Sequence, residues 1–396
     1  MKNSICVFGL MLAAAGGIAL AQTPTIDPGG VVNVASYAYS ALPSGGIAQG
    51  SIFGIFGKNL GPTPYAQATG YPLPTSLSNV TVKVTSGSTT VNAVLFLVSA
   101  SQINALLPSS VPTGTATLTV TNNGQTSAPA SFKVAANSFG TFALNQGGSG
   151  PGIITNAQSV PFGLTSAANP DDPAVIWGTG IGGVQGNEAN GALPGDMPNV
   201  PVEVYVGSTK ANVTYRGRSG CCAGLDQITF TVPNVLGCHV PVTVKIANVV
   251  SNFTSVPVAP KGSRTCSDPN GPSPNDLQKF MTNGNVSVGA IVLSRTNTSL
   301  TVPVIGTITT SADIGAGTFL RYNSTQLNSS QNPFNAYTIG SCTVTYYKGS
   351  SNNSADPTLP KSLDAGASLM VNGKPGPKSL DKMAAGNGSF VYSGLL

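Results

Sequence analysis

Beyond its first twenty or so residues, the hydrophobic positions of this chain alternate with polar ones. Val80-Thr-Val-Lys-Val84, Thr115-Ala-Thr-Leu-Thr-Val120, Val202-Glu-Val-Tyr-Val206 and Val240-Pro-Val-Thr-Val-Lys-Ile246 repeat apolar residues at every second position. That is the period of a strand with one face buried and the other solvated. Ala93–Val98 is a short continuous apolar run of the same class. Turn signals separate the runs: Pro112-Thr-Gly114, Asn122-Asn123-Gly124 and Gly207-Ser208, at the spacing of a β-sandwich. No helical period is visible after residue 21, which removes a parallel α/β architecture. The pattern predicts an all-β chain.

The pattern also repeats. Ser51-Ile-Phe-Gly-Ile-Phe-Gly57-Lys-Asn-Leu-Gly61 aligns with Pro173-Ala-Val-Ile-Trp-Gly178-Thr-Gly-Ile-Gly182 at an offset of 121. Gln102-Ile103 matches Gln227-Ile228 at 125, Ser127 through Ala135 matches Ser251 through Ala259 at 124, and Asn33 matches Asn156 at 123. Four markers in one order at near-constant spacing define two copies of one unit, over 31–135 and 153–259. The domains expected are therefore 22–140 and 150–260, then a Pro/Gly/Ser/Asn-rich linker over 261–285 and a β-rich domain over 286–396. Its clearest runs begin at Ser299, Cys342 and Ser368, and Asn372-Gly373 reads as a hairpin turn. A strand-like Ser389–Gly394 reads as part of an incomplete domain, or as a strand awaiting a partner. The three regions read as separable modules.

Each copy runs through an opening strand, Gly178-x-Gly180 or Gly57-x-Asn-Leu-Gly61, a Val-x-Val strand with Gly-Ser, a Gln-Ile strand ending before Pro108 or Pro233, a further Val-x-Val strand and a Ser-Ala or Ser-Asn entry into the last strand. This succession resembles the IPT/TIG immunoglobulin-like domain, and more closely the tandem Ig-like modules of large secreted proteins of soil bacteria. The resemblance implies tandem immunoglobulin-like (IPT/TIG-type) β-sandwiches followed by the C-terminal β-rich domain. It brings no catalytic residues, because this sandwich serves adhesion, enzyme accessory modules and DNA-binding factors alike.

Composition narrows the chemistry. Charged residues are 8% of the 396, against about a quarter in an average soluble protein. Thirteen acids and one histidine, His239, serve the whole chain, so general acid–base catalysis has few groups to draw on. The net charge of +5 is spread rather than clustered, which argues against a nucleic-acid partner. Lys2, the apolar stretch Ile5–Leu20 and Ala19-Leu20-Ala21 read as a signal peptide over 1–21. The chain is expected to be exported, secreted or held at the cell surface, with no membrane span after cleavage.

Export sets the expected fate of the cysteines. Cys221, Cys222, Cys238 and Cys266 are disulfide candidates, expected to form two bridges of open connectivity; Cys342 is left as an unpaired thiol or a partner for another chain. Gly178-Thr-Gly180-Ile-Gly182-Gly183 has the form of a dinucleotide fingerprint, but a loop sequence follows where a phosphate-binding helix is needed. Cys238 and His239 are neighbours in a strand and point to opposite faces, so they make no nucleophile pair. Asp171, Asp172 and Asp268 read as turn residues, too isolated for calcium. No cofactor, metal or catalytic residue is predicted. Trp177, aligned with Phe56, is assigned to the core. Tyr37, Tyr39, Tyr65 and Tyr71 fall in loop-like segments of the first copy and are the candidate ligand-contact aromatics.

These readings converge on a non-catalytic secreted or surface protein. Binding, adhesion or ligand presentation through loops at one end of each sandwich is the leading function, with an extracellular protein or glycan as partner. The alternative is a carbohydrate-binding accessory protein of extracellular polysaccharide turnover. A hydrolase would need paired acids from Asp313, Asp356 or Asp364.

Overall fold

The computed structural model describes residues 22–268, 273–302, 306–323, 336–339, 342–345, 360–374, 376–385 and 389–396. The segment 1–21, read as a signal peptide, and Asp356 lie outside the described residues, and so does the side chain of Cys342.

Alternation becomes burial directly. In Val80–Ser86 the residues Val80, Val82 and Val84 are buried while Thr81, Lys83 and Thr85 face outward. The first unit has seven principal strands: β1 (Thr25–Asn33), β2 (Ile52–Lys58), β3 (Val80–Ser86), β4 (Val94–Val98), β5 (Gln102–Leu106), β6 (Gly114–Asn122) and β7 (Ala130–Ala135). One sheet runs β1-β2-β5-β4 and the facing one β7-β6-β3. Phe53, Ile55, Val82, Leu95, Ile103 and Leu118 fill the space between them.

The second unit repeats this plan with β8 (Pro173–Thr179), β9 (Val202–Val206), β10 (Thr209–Arg218), β11 (Asp226–Thr231), β12 (Gly237–Ile246) and β13 (Thr254–Val258). Its order, β8-β11-β10-β9-β12-β13, is that of the first unit except that β10 passes unbroken from one sheet to the other. In the first unit the equivalent stretch is split into Thr89–Asn92 and β4 around buried Ala93. Both units carry a short segment paired in parallel with the last strand, Ile47–Ala48 on β7 and Gly150–Pro151 on β13. The chain is all-β with tandem immunoglobulin-like sandwiches.

The duplication extends to single hydrogen bonds. Ser127 Oγ accepts the Val120 N–H at 3.0 Å and donates to Ala128 O; Ser251 Oγ accepts the Val244 N–H at 3.0 Å and donates to Asn252 O. The repeat markers also face one another, Gln102 opposite Phe56 and Gln227 opposite Trp177.

Three features depart from the sequence reading. The segment read as a linker carries a helix, α1 (Pro274–Asn283), and packs onto the second sandwich. Ser273 caps it by accepting the Asp276 N–H, Pro274 opens it, and Gly284 closes it at φ 75°, the usual Pro-start and Gly-stop chemistry. Leu277 is buried with Leu164, Ala167, Ala259 and the half-cystines Cys238 and Cys266. The strand near the end, Phe390–Leu395, is not awaiting a partner: it is bonded on one side to Gly306–Asn323 and on the other to Gly376–Ala384. The hairpin read at Asn372-Gly373 forms two residues later, closing at Gly373 opposite Gly376. No helix among the described residues is long and apolar enough to cross a membrane.

Candidate functional site

The units are not separable at their junction, where three segments of the second sandwich meet the base of the first: the loop after β8, a 3-10 turn at Glu188–Asn190, and the β10–β11 connection. Fully buried Asp226 opens β11 and gathers two of them. Its Oδ2 accepts the N–H groups of Gly180 and Ile181 at 2.6 and 2.8 Å, and its Oδ1 accepts Arg218 Nη1 at 2.5 Å. Arg218 Nη2 donates to Gly182 O at 2.7 Å and lies 3.7 Å from Glu188 Oε1. Glu188 then reaches the first sandwich, where Ser109 donates its N–H and its hydroxyl to the two carboxylate oxygens, each at 2.9 Å. Burial raises Asp226 above the ordinary carboxylate range, while Arg218 and the two amides pull the other way.

Around this charged array the contact is continuous. Gly50 lies against it at φ 67°, and a β-carbon there would stand 2.1 Å from Arg218 Nη2, so only glycine fits. Asn33 Nδ2 donates to Ser138 O and Thr179 O. Thr179 Oγ1 accepts the Ile52 N–H and donates to Gly224 O. Tyr71 accepts the Ala223 N–H at 2.9 Å. Val94 and Leu106 of one unit bury Ala223 of the other, flanked by Leu73, Phe96 and Ala189.

Beside the joint opens a cleft of about 500 Å³. The first sandwich supplies Thr75, Val91, Asn92, Val94, Leu106 and Ser110, and the second supplies Gln185, Gly186 and Asn187, with Glu188 at its base. Amides and hydroxyls line an aliphatic floor, and Glu188 is already engaged by Ser109. Such a surface suits a neutral polar ligand with some apolar character.

The four tyrosines do not form one patch. Tyr37 tilts over Phe56 with ring centroids 6.2 Å apart, burial raising its hydroxyl pKa. Tyr71 is an anchor of the joint, whereas Tyr39 and Tyr65 are exposed at 69% and 60%. No ring pair links any two of them among the described residues. Trp177 is half-buried on the outer face of β8, with its indole N–H on Thr155 Oγ1 at 2.9 Å; the correction follows from period two, since Ala174 and Ile176 take the inward positions.

Of the disulfide candidates, Cys238 and Cys266 are bonded, while Cys221 and Cys222 are free and exposed. The expectation of a second bridge therefore fails in this structure: the free pair lies in the β10–β11 connection beside Ala223, whereas Cys238 and Cys266 pack with Leu277 of α1. His239 Nδ1 lies 3.8 Å from Asp268, whose Oδ1 also accepts the Cys238 N–H. Asp172 accepts the Asn169 N–H as a turn residue and pairs with Arg264, and Asp171 pairs with Lys261. Asp313 is held by two hydrogen bonds from Arg295, and Asp364 by Lys382 and Tyr392. The glycine motif runs on into a loop and a 3-10 turn, and the Gly180 and Ile181 amides within it donate to Asp226.

Sequence reasoning passed over Glu188, Arg218 and Asp226. A signal existed in the repeat itself, since the position aligned with Asp226 in the first copy is Ser101.

No family model matches the chain, and no curated protein matches it. Among solved structures it is similar to SGBP-B of the Bacteroides ovatus mixed-linkage glucan utilization locus, determined in complex with a mixed-linkage heptasaccharide, at 14% identity over 78% of this chain and 69% of that one, TM-score 0.29. Domains 5–6 of the S-layer protein SbsC share 14% identity over 60% of this chain and 100% of theirs, TM-score 0.22. A titin Ig tandem shares 10% over 55% and 91%, TM-score 0.17. Overlaps this loose bear on neither ligand nor activity.

Proposed function

We propose that the chain is a non-catalytic binding protein of the cell exterior, built on IPT/TIG-type sandwiches, whose ligand seats in the cleft between the first two. The observation that carries this reading is the joint: a buried interface holds two cleft walls of different chain origin against each other. The acids support it as well. Asp27 excepted, every acid of the described residues has a hydrogen-bonded or ionic partner, from Asp171 on Lys261 to Asp381 on Ser379, and the two that share a guanidinium, Glu188 and Asp226, are buried in the joint. Loop presentation shifts accordingly, because the end of the first sandwich bearing Gln49–Ser51 and Pro108–Ser110 faces the second.

The amide and hydroxyl lining favours the carbohydrate-binding form of this function. Glycan and protein arrays probed with the chain, together with Asn92→Ala and Gln185→Ala variants, test it. Glycan retention lost in both variants supports the cleft. Retention unchanged by them, or retention abolished only by Tyr39→Ala and Tyr65→Ala, places the ligand elsewhere and overturns it.

A further inference from the structure

The loop Ser219–Leu225 carries chemistry that the joint does not use. Cys221 and Cys222 are both exposed free thiols, on adjacent residues of one loop. The backbone around them is tied down. Ser219 Oγ accepts the Cys221 N–H at 3.2 Å, Leu225 donates to Cys222 O at 3.3 Å, and Ser219 donates to Leu225 O at 2.9 Å. Next door, Ala223 is fixed across the joint by Tyr71. Among the described residues no group of three or more His, Cys, Asp and Glu converges, so the four-ligand set of a structural zinc is missing. What remains is the chemistry of two free thiols on neighbouring residues.

We propose that Cys221 and Cys222 are a thiol–disulfide exchange site that closes to a vicinal disulfide on meeting a low-molecular-weight disulfide. Burial and the neighbouring Cys221 push the Cys222 thiol up to about 11, so Cys222 takes the part of the resolving thiol and the first attack is written for Cys221. The Cys221 thiolate attacks one sulfur of R–S–S–R; a Cys221–S–S–R bond forms, the S–S bond of the reagent breaks, and RS⁻ leaves with the proton Cys221 gave up. Cys222 then attacks Cys221 Sγ, its proton passing to the second RS⁻ as that departs. The pair is oxidised by two electrons and the reagent is reduced to two RSH. Adjacent Cα atoms are ~3.8 Å apart, below the roughly 4.4–6.8 Å of a relaxed bridge. The ring is therefore strained and reopened by thiols, unlike the buried Cys238–Cys266 bridge.

Peptide mass mapping of the full chain after incubation with glutathione disulfide tests this. The peptide spanning Cys221 and Cys222 is expected to become two hydrogens lighter and to regain them with dithiothreitol. Cys222→Ser should stop at a glutathionyl adduct on Cys221, since no second thiol remains to release it; Trp177 fluorescence and an intact Cys238–Cys266 bridge confirm that the variant is folded. Two free thiols persisting in the unsubstituted chain, or a stable adduct there that never closes, overturns the proposal.

Discussion

Replacing Asp226 by Asn tests whether the charged array holds the joint. The side chain accepts three hydrogen bonds, two from the Gly180 and Ile181 amides on one oxygen and one from Arg218 on the other. Asn keeps one acceptor and turns an NH₂ group either onto the two amides or onto the guanidinium, so at least one set of bonds is lost. It also leaves Arg218, 2% exposed, with Glu188 at 3.7 Å as its remaining counter-charge, and Glu188 is already bonded to Ser109. Removing one partner of a buried ion pair costs about 3–5 kcal/mol. Urea unfolding followed by the fluorescence of Trp177, the sole tryptophan, reads the loss close by, because Trp177 and Gly178 on β8 pair with Gln227 and Asp226. Asp171→Asn is the control: its bridge to Lys261 has side chains 73% and 68% exposed, and exposed pairs contribute about 1 kcal/mol at most. A loss for Asp226→Asn within about 1 kcal/mol of that control refutes the reasoning, since it would mean that the buried charge is dispensable to the joint.

Gly50→Ala forces a β-carbon into the same array from the other side; its cost is expected to fall by more than half when measured in an Asp226→Asn background, a coupling that a double-mutant cycle detects. Ser127→Ala and Ser251→Ala each orphan one buried backbone N–H, which costs about 1–3 kcal/mol, and unequal losses in the two copies by calorimetry would contradict their structural equivalence. Opening Cys238–Cys266, 28 residues apart, by Cys266→Ala should lower stability by about 3–4 kcal/mol in guanidinium titration, with α1 losing its packing surface. His239, 3.8 Å away, and the Cys238 amide together hold the Asp268 carboxyl below the ordinary range. Its contribution is thus complete above the unfolded value near about 3.9 and disappears as pH falls through the lower folded value, so Asp268→Asn should flatten the acid limb of thermal melting below about pH 4.

Alternation and repetition made the sandwiches legible because each strand needs only a one-sided apolar face, and Val80–Ser86 or Val202–Val206 displays it without help from the rest of the chain. The joint was not legible in the same way. Its contacts join residues far apart in sequence, such as Ser109 with Glu188 and Tyr71 with Ala223, and no local period encodes such a meeting. Trp177 shows the opposite error: its alignment with Phe56 suggested the core, whereas its parity along β8 placed it outside. Helix α1 escaped because a ten-residue helix with one fully buried side chain, Leu277, has almost no period to show, although Ser273, Pro274, Asp276 and Gly284 gave its caps. The vicinal cysteines were visible as a pair, but their separation from Cys238 and Cys266 was not, since pairing depends on which loop each occupies.

The low charge of the chain takes on a different meaning once the joint is known. Strands of Val, Thr, Ser and Asn fold with few charges, and the first copy manages with a single acid, Asp27, before residue 150. Three of the charges that remain are buried together where the copies touch, one of them at a position that is Ser101 in the first copy. Hydrophobic contact alone, as at Val94, Leu106 and Ala223, tolerates sliding because it is non-directional. A guanidinium shared between Asp226, Gly182 O and Glu188 does not, since each bond fixes a direction. The divergence of the copies is thus concentrated where orientation must be set. A ligand seated, as proposed, in a cleft whose walls are held in register this way would be spared the entropic cost of bringing two domains together.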